Sequence, residues 1–185
     1  MGIVPKPSQI ILLVEGSRDE QLVRKYLKRL NYEPHEIRTR KSPSGAGSGE
    51  QWVREQFAIE CEARRRLHVE TKLIVVIDAD TSTVQRRLGQ LDQALREAGV
   101  RPIPHDTREI LRLVPKRNVE TWILCLNNEE VDEESNYKRS RVDWTASIRT
   151  AADQLFEWTR RNARVPPACV ESLATGIQEL RKLEL

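Results

Sequence analysis

The sequence predicts an α/β fold, a mainly parallel sheet flanked by helices, and three observations predict it. Short, uninterrupted apolar runs stand where strands buried on both faces would stand. Segments of helical period separate them, so strand and helix alternate as they do in a doubly covered parallel sheet. Two of the runs end in acidic clusters, and the carboxyl ends of the strands in an open α/β sheet line the crevice where ligands bind.

Gln9 to Val14 (QIILLV) is the first strand, stopping at Glu15-Gly16. The period then changes to helical, with Leu22, Val23, Tyr26, Leu27 and Leu30 on one face, Ser17 as the expected N-cap and Asp19-Glu20 in the positive first turn. After the Asn31-Tyr32-Glu33-Pro34 break a shorter strand is predicted over Glu36 to Arg40. Lys41 to Gly49 (KSPSGAGSG) reads as a flexible linker, or else as a loop that brings bare backbone to a ligand. A polar helix from Gln51 to about Leu67 follows, ending in the basic run Arg64-Arg65-Arg66, which reads as a solvated face.

Lys72 to Ala79 (KLIVVIDA) is β-branched and closed by acids, the mark of a central strand. A helix over Val84 to Ala98 ends at Gly99, and a fourth strand runs from Ile110 to Val114 before Pro115. Beyond it the pattern is helical: Val119 to Leu126, then two amphipathic helices separated by Pro166-Pro167. Residues 1–115 are thus expected to form the α/β domain and residues 116–185 a helical C-terminal extension packed on it.

The balance of 31 Lys+Arg against 28 Asp+Glu, net +3, is too mild to mark a protein wrapped in nucleic acid, though local clusters still track phosphates. The three cysteines, Cys61, Cys125 and Cys169, lie far apart and outside any CxxC pattern, against a disulfide framework or a thiolate zinc site. No run reaches the roughly 18 apolar residues of a membrane helix, the start from Met1 to Gln9 lacks the apolar middle of a signal peptide, and Lys6 does not fit myristoylation at Gly2. A cytoplasmic protein is expected.

The chemistry is expected at the strand ends. Glu15 closes the first strand and Asp19 returns to the same rim from the helix start, while Asp78 and Asp80, two apart on an extended strand end, are expected to converge on one hard cation. Four carboxylates facing one crevice repel one another unless neutralised, and Mg²⁺ or Mn²⁺ suits an oxygen-only ligand set. A turn and helix cap is the other reading of Asp78 and Asp80. After the fourth strand, Lys116-Arg117-Asn118-x-Glu120 reads either as a capped helix start or as a second catalytic edge. In the latter, Glu120 is a ligand or acid/base, and Lys116 or Arg117 meets the phosphate. Tyr137, Lys138 and Arg139 form a basic patch with one aromatic, either a solvated loop or a grip on a nucleic-acid backbone. Trp122, Trp144 and Trp158 are expected to pack, and His35, His68 and His105 show no metal-binding spacing.

ILLVEGSRDE followed about 60 residues later by LIVVIDADT resembles the Toprim domain, the metal-binding module of topoisomerases, primases and certain nucleases, over roughly Gln9 to Pro115. The resemblance implies a Toprim-like Rossmannoid fold in which Glu15, Asp78 and Asp80 bind Mg²⁺. Asp19, four residues after the glutamate, is similar to the overcoming-lysogenization-defect (OLD) type of Toprim nuclease, for which two metals are proposed. Full-length OLD nucleases carry an ATPase domain that is not seen in this chain, so an ATPase subunit is an implied partner. A zinc ribbon and a transesterifying-tyrosine domain are also not seen. What the resemblance implies is a stand-alone Toprim-like protein, similar to small bacterial and phage-defence-associated proteins.

The expected function is a Mg²⁺- or Mn²⁺-dependent nuclease with nucleic acid, DNA ahead of RNA, as substrate. Two alternatives stand beside it. One is a non-catalytic Toprim-fold module that binds nucleic acid or a partner protein. The other is a haloacid-dehalogenase-type phosphatase, with Asp78 as nucleophile and Asp80 as acid/base, although that motif usually follows the first strand.

Overall fold

The computed structural model describes residues 9–45, 47–66 and 70–183. The chain start read above for a leader and for acylation, Ala46 of the glycine loop, the predicted helix end at Leu67, and His68 lie outside the described residues. The elements follow in the order β1 (Gln9–Val14), α1 (Ser17–Arg29), β2 (Ile37–Lys41), α2 (Gly49–Arg65), β3 (Thr71–Val76), α3 (Val84–Glu97), β4 (Ile110–Leu113), α4 (Val119–Leu126), α5 (Trp144–Thr159) and α6 (Glu171–Leu180).

The four strands form one sheet in the order β2-β1-β3-β4, and every pairing is parallel. Alternating side chains along each strand feed two cores. Ile10, Leu12, Val14, Ile74, Val76, Leu111 and Leu113 face α1, α4, α5 and α6. Ile11, Leu13, Leu73, Val75 and Ile110 face α2 and α3. Burial on both sides is why β1 and β3 read as unbroken apolar runs, each large side chain contributing roughly 1.5–3 kcal/mol. The expected α/β architecture is therefore observed. No helix among the described residues is long and apolar enough to cross a membrane.

Several strand ends differ from the expected ones by one to three residues, and two of these shifts have local reasons. Pro34–Glu36 form a single 3-10 turn, opened by the fixed φ of Pro34, so β2 starts at Ile37. The ladder of β3 ends at Val76, three residues before the expected Ala79. Ile77 and Ala79 still donate their N–H groups to Leu113 O (3.1 Å) and Pro115 O (2.8 Å), so the chain stays extended just past the sheet edge.

The C-terminal helices complete one face of the sheet. All eight residues of α4 are buried. Trp122 from this helix donates Nε1–H to Ser172 Oγ (2.7 Å) at the start of α6, and Ser172 Oγ also accepts from Lys116 N (3.1 Å). Gly176 lies flat against this indole: a Cβ there would sit 2.4 Å from Trp122 Cη2. Gly176→Ala is expected to cost about 1–3 kcal/mol of stability, because the hydrogen-bonded ring has no room to retreat. Gly89→Ala, where no atom lies within 4 Å of the new methyl, is expected to stabilise α3 by roughly 0.5–1 kcal/mol. Thermal unfolding of the two variants beside the parent, with midpoints moving in opposite directions, checks both.

Candidate metal centre

The connection from β1 to β2 and the return to β3 leave β1 on opposite sides, which makes the carboxyl end of the β1–β3 pair the topological switch point of the sheet. Glu15 follows β1 directly and Asp78 lies two residues beyond β3. They are locked together, since Asp78 N donates to Glu15 Oε1 (2.8 Å) across 63 residues of sequence. Asp19 comes from the first turn of α1. The N-cap of that helix is Gly16, not Ser17 as expected, and the reason is Asp19 itself, whose Oδ2 accepts from Gly16 N (2.8 Å). Glu120 comes from the first turn of α4, which Asn118 caps as expected by accepting from Thr121 N (3.3 Å).

Glu15, Asp19, Asp78 and Glu120 line one cavity of about 370 Å³, shared with Arg18 and Lys138. Gly49, the end of the glycine-rich loop, forms part of its wall, and a Cβ there would sit 3.6 Å from Glu15 Oε2. The loop therefore reaches the carboxylates, as the second of its two readings requires.

Burial dominates the electrostatics. Asp19, Asp78 and Glu120 are 5%, 7% and 4% exposed, too little for water to solvate three negative charges. Desolvation pushes the Asp19 carboxyl up to about 7; the bond from Gly16 opposes this, and the charges of Glu15 and Glu120 add to it. Asp78 is raised well above its ordinary range, first by burial and then by Asp19 and Glu15. Glu15 is raised by burial against the pull of the Asp78 N–H. Half-burial draws the Lys138 ammonium down, but Asp78, Glu120 and Glu15 outweigh it and hold its pKa up.

Protein cations answer only part of this charge. Lys138 Nζ stands 3.5 Å from Asp78 Oδ2, and Arg18 Nη1 donates to Glu120 Oε1 (2.6 Å). Asp19 Oδ1, Asp78 Oδ1 and Glu120 Oε2 remain buried without a hydrogen-bond partner. Orphaned carboxylate oxygens cost about 1–3 kcal/mol each, more when charged, so three in one cavity call for a further ligand. Among the described residues, no three His, Cys, Asp or Glu side chains are grouped, as they stand, so that they could hold a metal ion. The donor chemistry nevertheless fits a hard divalent cation: oxygen only, anionic, and unsatisfied.

These shifts fix the sign of a pH dependence. Asp19 binds its proton more tightly in the folded chain than at its ordinary value of 3.8, so folding takes up a proton between 3.8 and about 7. Stability from this group is full below 3.8 and falls as pH rises through about 7, and raised Glu15 and Asp78 act in the same direction. In EDTA the thermal midpoint is expected to fall between about pH 5 and about pH 8, and Mn²⁺ is expected to restore more of it at the higher pH.

Several expected residues are not brought to the cavity. Asp80 adopts a left-handed conformation (φ 55°), which turns it away from Asp78 to the surface, where Arg117 Nη1 donates to it (2.8 Å). The extended geometry assumed for the Asp78-x-Asp80 pair ends at Ala79, so Asp80 does not line the cavity beside Asp78, although its charge still acts on Lys138. The phosphatase reading loses its acid/base neighbour for the same reason. Lys116 pairs with Glu134 (3.3 Å) and Arg117 with Asp80, so neither expected phosphate ligand lines the cavity. Tyr137 is tied into its own loop, its hydroxyl accepting from Asp132 N (3.1 Å), and Arg139 is exposed beside it and off the cavity. Of the expected basic patch only Lys138 reaches the carboxylates.

Arg18 was missed. Its guanidinium bonds Glu120, donates to Lys138 O (3.1 Å) and lies 4.3 Å over the Trp144 ring, joining α1, the loop before α5, and α5. Its place between Glu15 and Asp19 was the available signal, hidden because an arginine in a first helical turn reads as solvated. Arg87 was missed too. It is 6% exposed and donates to Glu50, and its charge favours the ionised form of Glu15 while that of Glu50 opposes it. A family model described as a protein of unknown function (DUF3226) matches residues 9–160, a span that includes every residue of the cavity. No curated protein matches the chain.

Proposed function

The chain belongs to that family, whose description states no activity, and on the strength of its site we propose that it is a Toprim-type, divalent-metal-dependent nuclease acting on phosphodiester bonds of nucleic acid. The observation that carries this reading is the trio of partnerless buried oxygens, Asp19 Oδ1, Asp78 Oδ1 and Glu120 Oε2, around one cavity with Glu15. The placement of Glu15 and Asp19 after the first strand and of Asp78 after the third agrees with the Toprim resemblance of EGSRD and IDAD, and Glu120 joins them from the start of α4 after the fourth strand.

Glu15, Asp19, Asp78 and Glu120 would hold Mg²⁺ or Mn²⁺. When bound, the ion supplies Lewis acidity toward phosphoryl oxygens and activation of water for attack. Lys138 and Arg18 now neutralise Asp78 and Glu120, and with cations taking over that task their positive groups are free to meet the substrate phosphate. Arg18 thereby takes the role expected of Lys116 and Arg117. Gly49 lets substrate backbone pass close to Glu15.

The test is cleavage of supercoiled plasmid, linear DNA, single-stranded DNA and RNA with Mg²⁺, Mn²⁺ or EDTA, beside Glu15→Ala and Asp78→Ala. Metal-dependent cleavage lost in both variants supports the nuclease. A metal-induced thermal shift without cleavage of any substrate moves the reading to another phosphoryl reaction or to a missing partner. Neither shift nor cleavage leaves the non-catalytic binding module.

A further inference from the structure

Two cavities flank the outer face of α1 beyond its first turn and share a ridge made by Lys25 and Lys28. The first, about 420 Å³, has an apolar floor of Tyr32, Pro34 and Ile37 and a basic rim of Arg24, Lys25 and Lys28. The second, about 330 Å³, lies between α1 and α5, with Arg149 on its far wall. Two of the acids nearby are already paired, Glu20 by Lys41 (3.0 Å) and Asp153 by Arg29, while Glu36 and Glu70 set their charge beside Tyr32. Arg24 is fixed by bonds to Ile37 O (3.2 Å) and Thr39 Oγ1 (2.9 Å). Among the described residues, no hydrogen bond or ion pair engages the side chain of Lys25, Lys28 or Arg149.

Unpaired cations crowded on one ridge repel each other, and a polyanion relieves that repulsion. The apolar floor distinguishes the anion. A cavity of this size with a tyrosine ring and a proline beneath a cationic rim suits one nucleobase with its phosphates outside, whereas free inorganic anions have no use for the floor. The ridge is also on the path from the carboxylates. Ser17 lines the metal cavity, and Lys28 lies eleven residues further along the same helix, about 16 Å at 1.5 Å per residue. That is about five steps of a strand stacked as in a duplex, at about 3.4 Å per nucleotide.

We propose that this ridge is a substrate anchor: a nucleic-acid strand whose scissile phosphate lies at Glu15 and Asp78 runs along α1, places a base over Tyr32, Pro34 and Ile37, and sets its phosphates on Lys25, Lys28 and Arg149. The anchor rests on the nuclease reading for its substrate and not for its geometry. It explains how a small open site gains hold of a long polymer without a strongly basic chain.

The test compares the parent with Lys25→Gln/Lys28→Gln and with Arg149→Gln. Binding of a labelled single-stranded oligonucleotide long enough to span the path is titrated over a range of salt, with a trinucleotide as the short competitor. The double variant is expected to lose about tenfold or more in affinity for the long strand, with the slope of log K against log salt reduced by about 1.4, about 0.7 for each contact with a single strand. Trinucleotide binding and the Mn²⁺ thermal shift are expected to stay as in the parent, and Arg149→Gln to lose a smaller share with a slope change of about 0.7. Unchanged long-strand affinity and slope overturn the anchor while leaving metal-dependent cleavage, and so the nuclease reading, intact. An equal loss for the trinucleotide overturns it as well, since the defect then lies at the carboxylates. A parent that binds neither strand but still shifts with Mn²⁺ removes the anchor alone, and one that does neither removes both.

Discussion

Asp78→Asn is expected to abolish metal-dependent cleavage, by more than the roughly 10–100-fold that loss of an outer partner of a metal ligand costs, and to remove most of the Mn²⁺ thermal shift. Asparagine keeps the size of the side chain and takes away the charge on which a hard cation depends. The strand ends stay joined, because the bond to Glu15 Oε1 comes from the backbone N–H of residue 78 and not from its side chain. The folded chain, its melting cooperativity and its affinity for a long strand are therefore expected to survive. Plasmid cleavage rates and Mn²⁺ titrations of the purified variant measure this. Cleavage within a few-fold of the parent would mean that the Asp78 carboxylate is not a ligand.

Asp19→Asn is expected to separate stability from activity with opposite signs. The amide oxygen keeps the acceptor for Gly16 N, so the start of α1 is preserved. What disappears is a buried carboxylate held against the charges of Glu15 and Glu120. At about pH 8, where this group is ionised, its removal is expected to stabilise the metal-free chain by about 1–3 kcal/mol, the cost of an unanswered buried group, and to raise the thermal midpoint by several degrees. Cleavage is expected to fall with metal affinity. The decline of the midpoint with rising pH flattens in the same variant, because the proton taken up on folding was partly this one. A variant less stable than the parent in EDTA at about pH 8 would contradict the proposed strain.

Much of this architecture was legible in order of residues. A strand buried on both faces cannot alternate, so QIILLV and KLIVVI had few other readings, and Glu15 and Asp78 followed from them because acids at parallel strand ends face the crevice. Asn118 and Glu120 were legible as a helix start, and the same first-turn position brings Glu120 to the cavity. Asp80 was misread because its direction depends on a single left-handed residue, which a tertiary bond from Arg117 holds and no local pattern signals. Gly16 displaced Ser17 as cap because Asp19 turns back on it. Arg18 stayed hidden because its partners, Glu120 and Trp144, lie more than 100 residues away, and Lys138 stood out from Tyr137 and Arg139 only once the loop was seen to fold over the carboxylates.

The stacking of Arg18 on Trp144 gives the protein a built-in optical gauge. An indole's emission responds to a charge resting on its ring, and Arg18 holds Glu120 with the same guanidinium that rests on this one. Whatever draws that guanidinium toward a phosphate, or frees it by neutralising Glu120, changes the light from Trp144. Occupancy of the cavity thus becomes readable in the native chain, with a Trp144→Phe variant to subtract the other three tryptophans.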